Sequence, residues 1–237
     1  TVLLVQVLGV PHRMQELQTL KDRYGFYLLE DACAAIGAEY GGKKIGTFGD
    51  MASFSFYFGH QMSTIEGGMV STSDKQLADM LLMLRSHGWS KDLDQSSHQA
   101  LLTQYQVDDF HSPFVFYEPG FNLRSTDLNA FIGIEQLHKL DWMTGRRQAN
   151  HERYLQHLGS RFYTQRPPTG SKVASISFVI GVRAERMQAA SAFRSLFVCS
   201  AKSRNVRAVG LVTSAMLGAS SACAIGPVPA SPRTMLM

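Results

Sequence analysis

The stretch VLLVQVLGVPHRMQELQTLKDRYGFYLLED, residues 2–31, decides the fold of this chain. Its β-rich start over residues 2–8 predicts a strand, and Pro11 then stands where helices commonly begin. The next apolar side chains are three to four residues apart and share one helical face: Met14, Leu17, Leu20 and Tyr24. Gly25 ends this helix, and residues 26–29 predict a second buried strand. A β-α-β pattern of this kind predicts a parallel sheet in an α/β fold.

Two acidic residues, Glu30 and Asp31, directly follow the second predicted strand. In open parallel sheets, ligands bind in the crevice beyond the carboxyl ends of the strands. An acid at this point is therefore a candidate ligand-binding residue. The alternative is an aspartate that only caps the next turn, and the residues alone leave both interpretations open.

A second strand pair carries a histidine between its members. The alternating aromatic segment 53–58 predicts a strand, and the turn Glu66-Gly67-Gly68 precedes another strand over 69–71. His60 therefore lies at the apex of a strand-loop-strand unit.

The segment that follows is predicted to form two helices with a long loop between them. Asp74 caps an amphipathic helix over 75–87, and Thr126 caps a second helix with apolar residues along one side. Between them, residues 90–118 are polar and irregular, which predicts an unusually long loop at a mobile segment or an interface.

Composition restricts the class of protein. A chain of 237 residues that is 45% hydrophobic and 18% charged is typical of a soluble globular protein of one or two domains. It is not typical of a disordered, collagen-like or membrane protein. Three cysteines without a C-x-x-C spacing predict neither a disulfide scaffold nor a structural metal site. The simplest setting is a reducing cytoplasm.

The net charge of +4 is unevenly distributed. Residues 1–170 contain 15 Lys and Arg against 18 Asp and Glu, a net charge of −3, whereas residues 171–237 contain 8 basic residues against one acidic, a net charge of +7. The basic part is rich in Ala, Ser and Val and has no aromatic-basic interleaving. We therefore expect neither nucleic acid nor a membrane as a partner.

Three strings, in this order along the chain, resemble the DegT/DnrJ/EryC1/StrS family of pyridoxal-phosphate-dependent nucleotide-sugar enzymes. They are LLEDACAAIGAEYGGKKIGTFGD (28–50), FSFYFGHQMSTIEGG (54–68) and PGFNLRSTDLNAFIGIEQLHKL (119–140). The resemblance implies an aspartate-aminotransferase-type fold (fold type I), whose large domain is a mostly parallel sheet flanked by helices. It also implies a homodimer whose active sites are completed from both chains.

The resemblance implies a domain division as well. Residues 1–145 are expected to be the cofactor-binding large domain, without its N-terminal part because the chain opens at Thr1 inside the family pattern. Residues 146–178 would begin an incomplete small domain. Residues 179–237 match nothing in the pattern and are expected to be a disordered or frame-shifted basic tail.

The family assigns roles to individual residues of the three strings. Asp31 matches the acid that pairs with the cofactor's pyridine nitrogen, and Ser55 matches a hydroxyl that binds its phosphate. Asn122 matches an amide that reaches the phosphate of the neighbouring subunit, and Arg124 is a candidate for substrate anions. Ala34 stands near the cofactor where most relatives carry a polar residue. Each has a structural alternative: small-residue packing for the serine, a turn for the asparagine, a surface ion pair for the arginine.

His60 departs from the family's aminotransferases. They carry a lysine at the matching position, whose amine binds the cofactor covalently and then transfers a proton. An imidazole cannot form that link, but its ordinary pKa of about 6.5 suits a general base near neutral pH. His60 is therefore the predicted catalytic residue.

The histidine resembles one subgroup, the sugar 3-dehydratases that form dideoxysugars such as colitose for lipopolysaccharide O-antigens. That subgroup implies removal of the C3 hydroxyl from a nucleotide-linked 4-keto-6-deoxyhexose, GDP-linked by preference, with pyridoxal and pyridoxamine 5'-phosphate as cofactor and L-glutamate as amine donor. An iron-sulfur subgroup is not favoured, because Cys33 is the one cysteine in the matching region. A nucleotide-sugar aminotransferase and an inactive cofactor-binding fragment are the alternatives.

Overall fold

A computed structural model describes the backbone of residues 1–182, 197–199 and 208–213, and the side chains of residues 1–181. The helices in this part are α1 (Met14–Tyr24), α2 (Lys75–Arg85), α3 (Gln95–Tyr105) and α4 (Asp127–Leu158). The strands are β1 (Val2–Val5), β2 (Leu28–Asp31), β3 (Glu39–Tyr40), β4 (Lys43–Lys44), β5 (Met51–Ser55), β6 (Gly68–Thr72), β7 (Tyr163–Thr164), β8 (Ser171–Lys172), β9 (Ser177–Val182), β10 (Phe197–Cys199) and β11 (Ala208–Thr213).

The main sheet has the strand order β1-β2-β5-β6. The first three strands are parallel, with Val5 opposite Asp31 and Asp31 opposite Ser53, and β6 runs antiparallel beside β5. Helix α1 connects β1 to β2, ends at a left-handed Gly25 with φ +64°, and buries Met14 completely. The predicted β-α-β unit and the α/β class are confirmed.

The first strand is shorter than predicted. It ends at Val5, and residues 7–9 form a 3-10 turn that closes on Gly9 at φ +81°. A Cβ on Gly9 would lie 2.5 Å from the carbonyl oxygen of Ala34 and 2.8 Å from that of Ala174. Chain segments from three regions therefore meet here, and this close approach bends the chain away from the sheet.

The predicted long loop over 90–118 is wrong, because α3 lies within it. Asp94 caps this helix by accepting a hydrogen bond from the backbone N–H of Ser97, 3.0 Å away. Its sequence lacks the apolar periodicity that identifies an amphipathic helix. Accordingly, Leu102 is the one residue of α3 that is buried. The two helices that were predicted, α2 and α4, are confirmed with caps at Asp74 and Thr126.

Helix α4 leaves much of its apolar side uncovered in the described part of the chain. The exposed side chains, between 57% and 77% accessible, are Leu128, Phe131, Ile134, Leu137 and Trp142. Singly exposed apolar residues are ordinary, but a row along one helix is a feature of contact surfaces.

Two antiparallel sheets accompany the main sheet. One has the order β10-β11-β9-β7, and the other is the small sheet β4-β3-β8. The predicted domain boundary at residue 145 falls within the continuous helix α4, and the domain division stays a prediction. Much of the predicted tail, residues 183–196, 200–207 and 214–237, lies outside the described residues. In the part that is described, no helix combines the length and hydropathy needed to cross a membrane.

Candidate active site

The candidate site lies at the edge of the main sheet where the parallel strands end. Asp31 is the last residue of β2, and Ser55 is the last residue of β5, the neighbouring strand. The chain then enters the loop that carries His60 before it returns as β6. The topology thus brings three of the predicted site residues to one sheet edge, where ligands bind in folds of this class.

Asp31 has the features of both interpretations that the sequence left open. Its Oδ1 accepts a hydrogen bond from the backbone N–H of Cys33, 3.1 Å away, so the side chain does cap the turn after β2. Burial lowers the pKa of the nearby His60 imidazole, and the negative charge of Asp31 partly opposes this shift. Asp31 is half-buried.

Glu30 has a different task although it precedes Asp31 directly. Its side chain points to the opposite face of the sheet and is 1% exposed. Its two carboxylate oxygens accept hydrogen bonds from the backbone N–H groups of Gly46 at 2.9 Å, Phe48 at 2.7 Å and Gly49 at 2.7 Å. Glu30 therefore holds the glycine-rich loop 41–49 onto the sheet, which leaves Asp31 as the acid of the site.

His60 is half-buried, and its Nδ1 is buried without a hydrogen-bond partner among the described residues. Burial lowers the pKa of its imidazole below the ordinary 6.5, and the charge of Asp31 opposes this shift less strongly. The ring packs edge-on against Tyr57, with the centroids 6.2 Å apart. A neutral imidazole at pH 7 with one unpaired nitrogen is a suitable proton acceptor.

Ser55 and Ala34 lie on either side of this loop. The Ser55 hydroxyl oxygen accepts a weak hydrogen bond from the backbone N–H of Tyr57 at 3.3 Å, which leaves the hydroxyl hydrogen for another partner. The Ala34 carbonyl accepts from the side chain of Gln61. Nearby, burial raises the pKa of the Cys33 thiol, with smaller effects from Asp31. A thiol in this state is a poor nucleophile, as expected for a packing residue.

Asn122 and Arg124 lie on a separate, exposed segment. Asn122 forms an isolated β-bridge with Ser86, and the backbone N–H of Leu123 donates to the carbonyl of Arg85 at 3.0 Å. This segment therefore lies beside the end of α2. Within the described residues, no hydrogen bond joins it to Asp31, Ser55 or His60. The roles assigned to all six candidate residues stay predictions.

Two residues that the sequence analysis did not single out hold the His60 loop. Gln61 is 2% exposed and donates to the carbonyls of Ala34 and Ala174. Asn129, in the first turn of α4, donates to the carbonyl of Thr64 at 2.7 Å and to that of Glu66 at 3.2 Å. Both belong to the strings quoted above, but nothing in their spacing indicates which distant carbonyls they reach.

The described site has the groups needed for proton transfer. It combines a carboxylate, a hydroxyl and a neutral imidazole at one sheet edge. Elsewhere in the described chain, no group of three or more His, Cys, Asp or Glu side chains is placed to hold a metal ion.

Comparison with known proteins identifies relatives with long shared segments. The GDP-4-keto-6-deoxy-D-mannose 3-dehydratase of Yersinia pseudotuberculosis is 38% identical over 149 residues, which are 63% of this chain and 37% of that protein. The enzyme of the same name from Escherichia coli O55:H7 is 35% identical over 182 residues, 76% of this chain and 46% of the relative. The chain therefore spans less than half the length of these curated relatives.

A solved structure of GDP-4-keto-6-deoxymannose-3-dehydratase with a trapped PLP-glutamate geminal diamine has a TM-score of 0.71 and 28% identity. The match covers 84% of this chain and 52% of that structure. Such likenesses confirm the predicted aspartate-aminotransferase-type α/β fold. The family described as the DegT/DnrJ/EryC1/StrS aminotransferase family matches residues 1–208, and this chain belongs to it.

Proposed function

We propose that this chain is part of a sugar 3-dehydratase that removes the C3 hydroxyl from a GDP-linked 4-keto-6-deoxyhexose. The observation that carries the proposal is His60. By the family resemblance it matches the catalytic lysine of the aminotransferases, and it is half-buried, with its pKa lowered and its Nδ1 unpaired among the described residues. The identity to 3-dehydratases supports the same choice.

The described residues fit pyridoxal phosphate. That group needs an acid for its ring nitrogen and donors for its phosphate. The sheet edge offers the half-buried carboxylate of Asp31 at the end of β2 and the hydroxyl of Ser55 at the end of β5. Asp31 would hold the ring nitrogen protonated, Ser55 would donate to the phosphate, and Asn122 would reach the phosphate of the neighbouring subunit. When bound, the cofactor would supply, in its pyridoxamine form, an amine for the sugar ketone and an aromatic ring that accepts electrons.

His60 moves the proton in this proposal. Its neutral imidazole would accept a proton from the carbon that bears the amine, and the imidazolium would return this proton to the C3 hydroxyl, which would leave as water as the electrons of the broken C–H bond displace the C3–O bond. Because burial lowers the pKa of His60, the ring is in its accepting form at neutral pH. Arg124, exposed on the segment beside α2, is the candidate for the anionic groups of the nucleotide.

L-glutamate would supply the amine, and lipopolysaccharide O-antigen synthesis in the cytoplasm is the corresponding setting. A homodimer is proposed as the active form. It is supported by the exposed apolar row on α4, which a second copy would cover. Nucleic acid and membranes are not proposed as partners.

An aminotransferase is the second enzyme class, and a cofactor-binding fragment without turnover is the non-enzyme class. One experiment separates the three. The protein is incubated with pyridoxal phosphate, glutamate and GDP-4-keto-6-deoxymannose, and the sugar product is identified by mass spectrometry. Loss of oxygen from the sugar supports the dehydratase, gain of an amino group supports the aminotransferase, and unchanged sugar with bound cofactor supports the fragment.

A matched variant, His60→Lys, makes the result specific to the histidine. We expect borohydride to attach the cofactor covalently to this variant and to leave it removable from the parent protein, because only lysine supplies a primary amine. A borohydride-reducible link between the cofactor and any lysine of the parent protein would contradict the proposal.

A further inference from the structure

Gln61 connects the His60 loop to two distant segments of the chain. Its amide Nε2 donates to the carbonyl of Ala174 at 2.7 Å and to the carbonyl of Ala34. Ala34 follows β2 and Asp31, whereas Ala174 lies between β8 and β9. One buried side chain, directly after the candidate catalytic residue, therefore spans three parts of the fold.

The two acceptor carbonyls are held in place by the backbone around them. Gly9 approaches both so closely that any Cβ there would contact the oxygens at 2.5 and 2.8 Å. The backbone N–H of Ala174 in turn donates to the carbonyl of Gly9 at 3.0 Å. Because Ala174 is fully buried, its carbonyl has no access to water in place of Gln61. Loss of the amide would leave a buried acceptor unpaired, which is costly.

The orientation of the amide follows from these contacts. If the oxygen and nitrogen of Gln61 were exchanged, the amide oxygen would face two carbonyl oxygens, and all three are acceptors. The Oε1 atom is itself buried without a hydrogen-bond partner among the described residues. The two donated bonds are therefore the hydrogen bonds that the Gln61 side chain forms among the described residues.

Gln61 is also the main polar attachment of the loop. Among the described residues 57–63, Gln61 is the one whose side chain forms hydrogen bonds to distant segments of the chain. The other bonds are local, such as the one from the backbone N–H of His60 to the carbonyl of Tyr57 at 3.0 Å. The next hydrogen bond from a distant residue is donated by Asn129 to the carbonyl of Thr64, directly after residues 57–63.

We infer that Gln61 is a positioning residue that sets the location of the His60 imidazole relative to Asp31. It acts through the peptide bond to His60, since its amide fixes the backbone of the loop against the turn that follows Asp31. The importance of this location for catalysis rests on the proposed function of His60, but the positioning itself rests on the contacts of Gln61.

The test compares two glutamine-to-methionine variants. Gln61→Met keeps the side-chain length and removes both donated bonds. The control, Gln148→Met, removes the bond from the Val173 backbone N–H to Gln148 Oε1 at 2.6 Å, next to Ala174, without touching the His60 loop. The readout is an NMR titration of the His60 imidazole without cofactor, with the resonance assigned through His60→Asn.

We expect the pKa of His60 to rise toward its ordinary value in Gln61→Met, because a released loop exposes the ring and desolvation is the larger influence on it. In Gln148→Met the titration should match the parent. Should Gln61→Met fail to fold, Gln61→Asn, whose amide is one carbon too short to keep both bonds, gives the same comparison. An unchanged pKa in the Gln61 variant, or an equal change in the Gln148 variant, would overturn the inference.

Turnover provides a second readout. A misplaced imidazole should lower kcat about 10- to 100-fold, with a much smaller change in KM for the nucleotide sugar. The two proposals can fail separately. If the parent protein has no dehydratase activity but the His60 titration moves as expected, the proposed function fails and the positioning role stands.

Discussion

Asn129 Nδ2, in the first turn of α4, donates a hydrogen bond to the backbone carbonyl of Thr64, 2.7 Å away and 65 positions earlier in the chain. A second bond from the same nitrogen reaches the carbonyl of Glu66 at 3.2 Å. The start of the longest helix is thus attached to the end of the loop that carries His60. The cap residue Thr126 orients the amide by donating to Asn129 Oδ1.

Replacing Asn129 by alanine should therefore destabilise the protein. The carbonyl of Thr64 loses its side-chain donor, and that of Glu66 keeps only the Thr64 hydroxyl. We expect a loss of about 1–2 kcal/mol in the free energy of unfolding. Urea denaturation monitored by circular dichroism measures it. Asn150→Ala, on the same helix but without a side-chain hydrogen bond among the described residues, should change stability by less than about 0.5 kcal/mol. Equal losses in the two variants would show that the bonds to the loop are not the cause.

Glu30→Gln tests the separation of tasks between the two adjacent acids. The amide retains one acceptor oxygen but presents an NH₂ group to backbone N–H donors, so at least one of three short bonds is lost in a buried site. We expect a loss of about 1.5–3 kcal/mol in the free energy of unfolding.

The matched control for Glu30 is Glu39→Gln. Glu39 pairs with Lys44 at 2.6 Å on the partly exposed small sheet, where an ion pair contributes at most about 1 kcal/mol. Chemical denaturation of both variants at pH 7 gives the comparison. A Glu30 variant as stable as the Glu39 variant would refute the loop-holding role.

The rate should depend on the protonation of His60. Burial lowers the pKa of this group, so the neutral imidazole, which accepts the proton, predominates at pH 7. Its population decreases as the pH falls through that lowered pKa. We expect kcat to be constant near neutral pH and to decline on the acidic side below 6.5. His60→Asn should lower kcat at least about 100-fold and remove this acidic limb. An acidic limb that persists in His60→Asn would assign the titration to another group.

His151 should make the stability of the fold sensitive to acid. It is 3% exposed on α4, its two ring nitrogens have no partner among the described residues, and its ring packs edge-on against Phe178. Burial lowers its pKa, while Glu152 opposes this more weakly. The unfolded chain therefore binds a proton at this histidine more readily than the folded one. The contribution of neutral His151 to stability is fully present above about pH 6.5 and is lost as the pH decreases toward the lowered pKa of the folded state.

The variant His151→Phe should lose this part of the acid sensitivity, because a phenyl ring cannot be protonated. The urea midpoints of unfolding at pH 7.5 and pH 5 measure the effect. His138→Phe, at an exposed position of the same helix, should show the same difference between the two midpoints as the parent protein. If His151→Phe shows the same loss of stability on acidification as the parent, His151 is not responsible for it.

Local pattern predicted much of this molecule for identifiable reasons. The β-α-β unit could be predicted because Gly25 and the spacing from Met14 to Tyr24 act within one helix. The predicted caps at Asp74 and Thr126 are confirmed for the same reason, since a cap bonds to a residue three positions away. Helix α3 was missed because polar residues dominate it and Leu102 is its one buried residue.

The sequence by itself placed Asp31 after a predicted strand and His60 between two predicted strands, and the family resemblance implies that His60 stands where the aminotransferases carry a lysine. The predicted strand over 53–58 put Ser55 inside the strand, whereas in the structure β5 ends at Ser55. Only the tertiary structure decided which of the two adjacent acids interacts with His60, because Glu30 accepts hydrogen bonds from the loop 41–49 whereas the charge of Asp31 acts on the imidazole. It also decided the roles of Gln61 and Asn129, whose partners are 27 to 113 positions away. Hydrogen bonds over such separations leave no local pattern, since the acceptors are backbone carbonyls that every residue possesses.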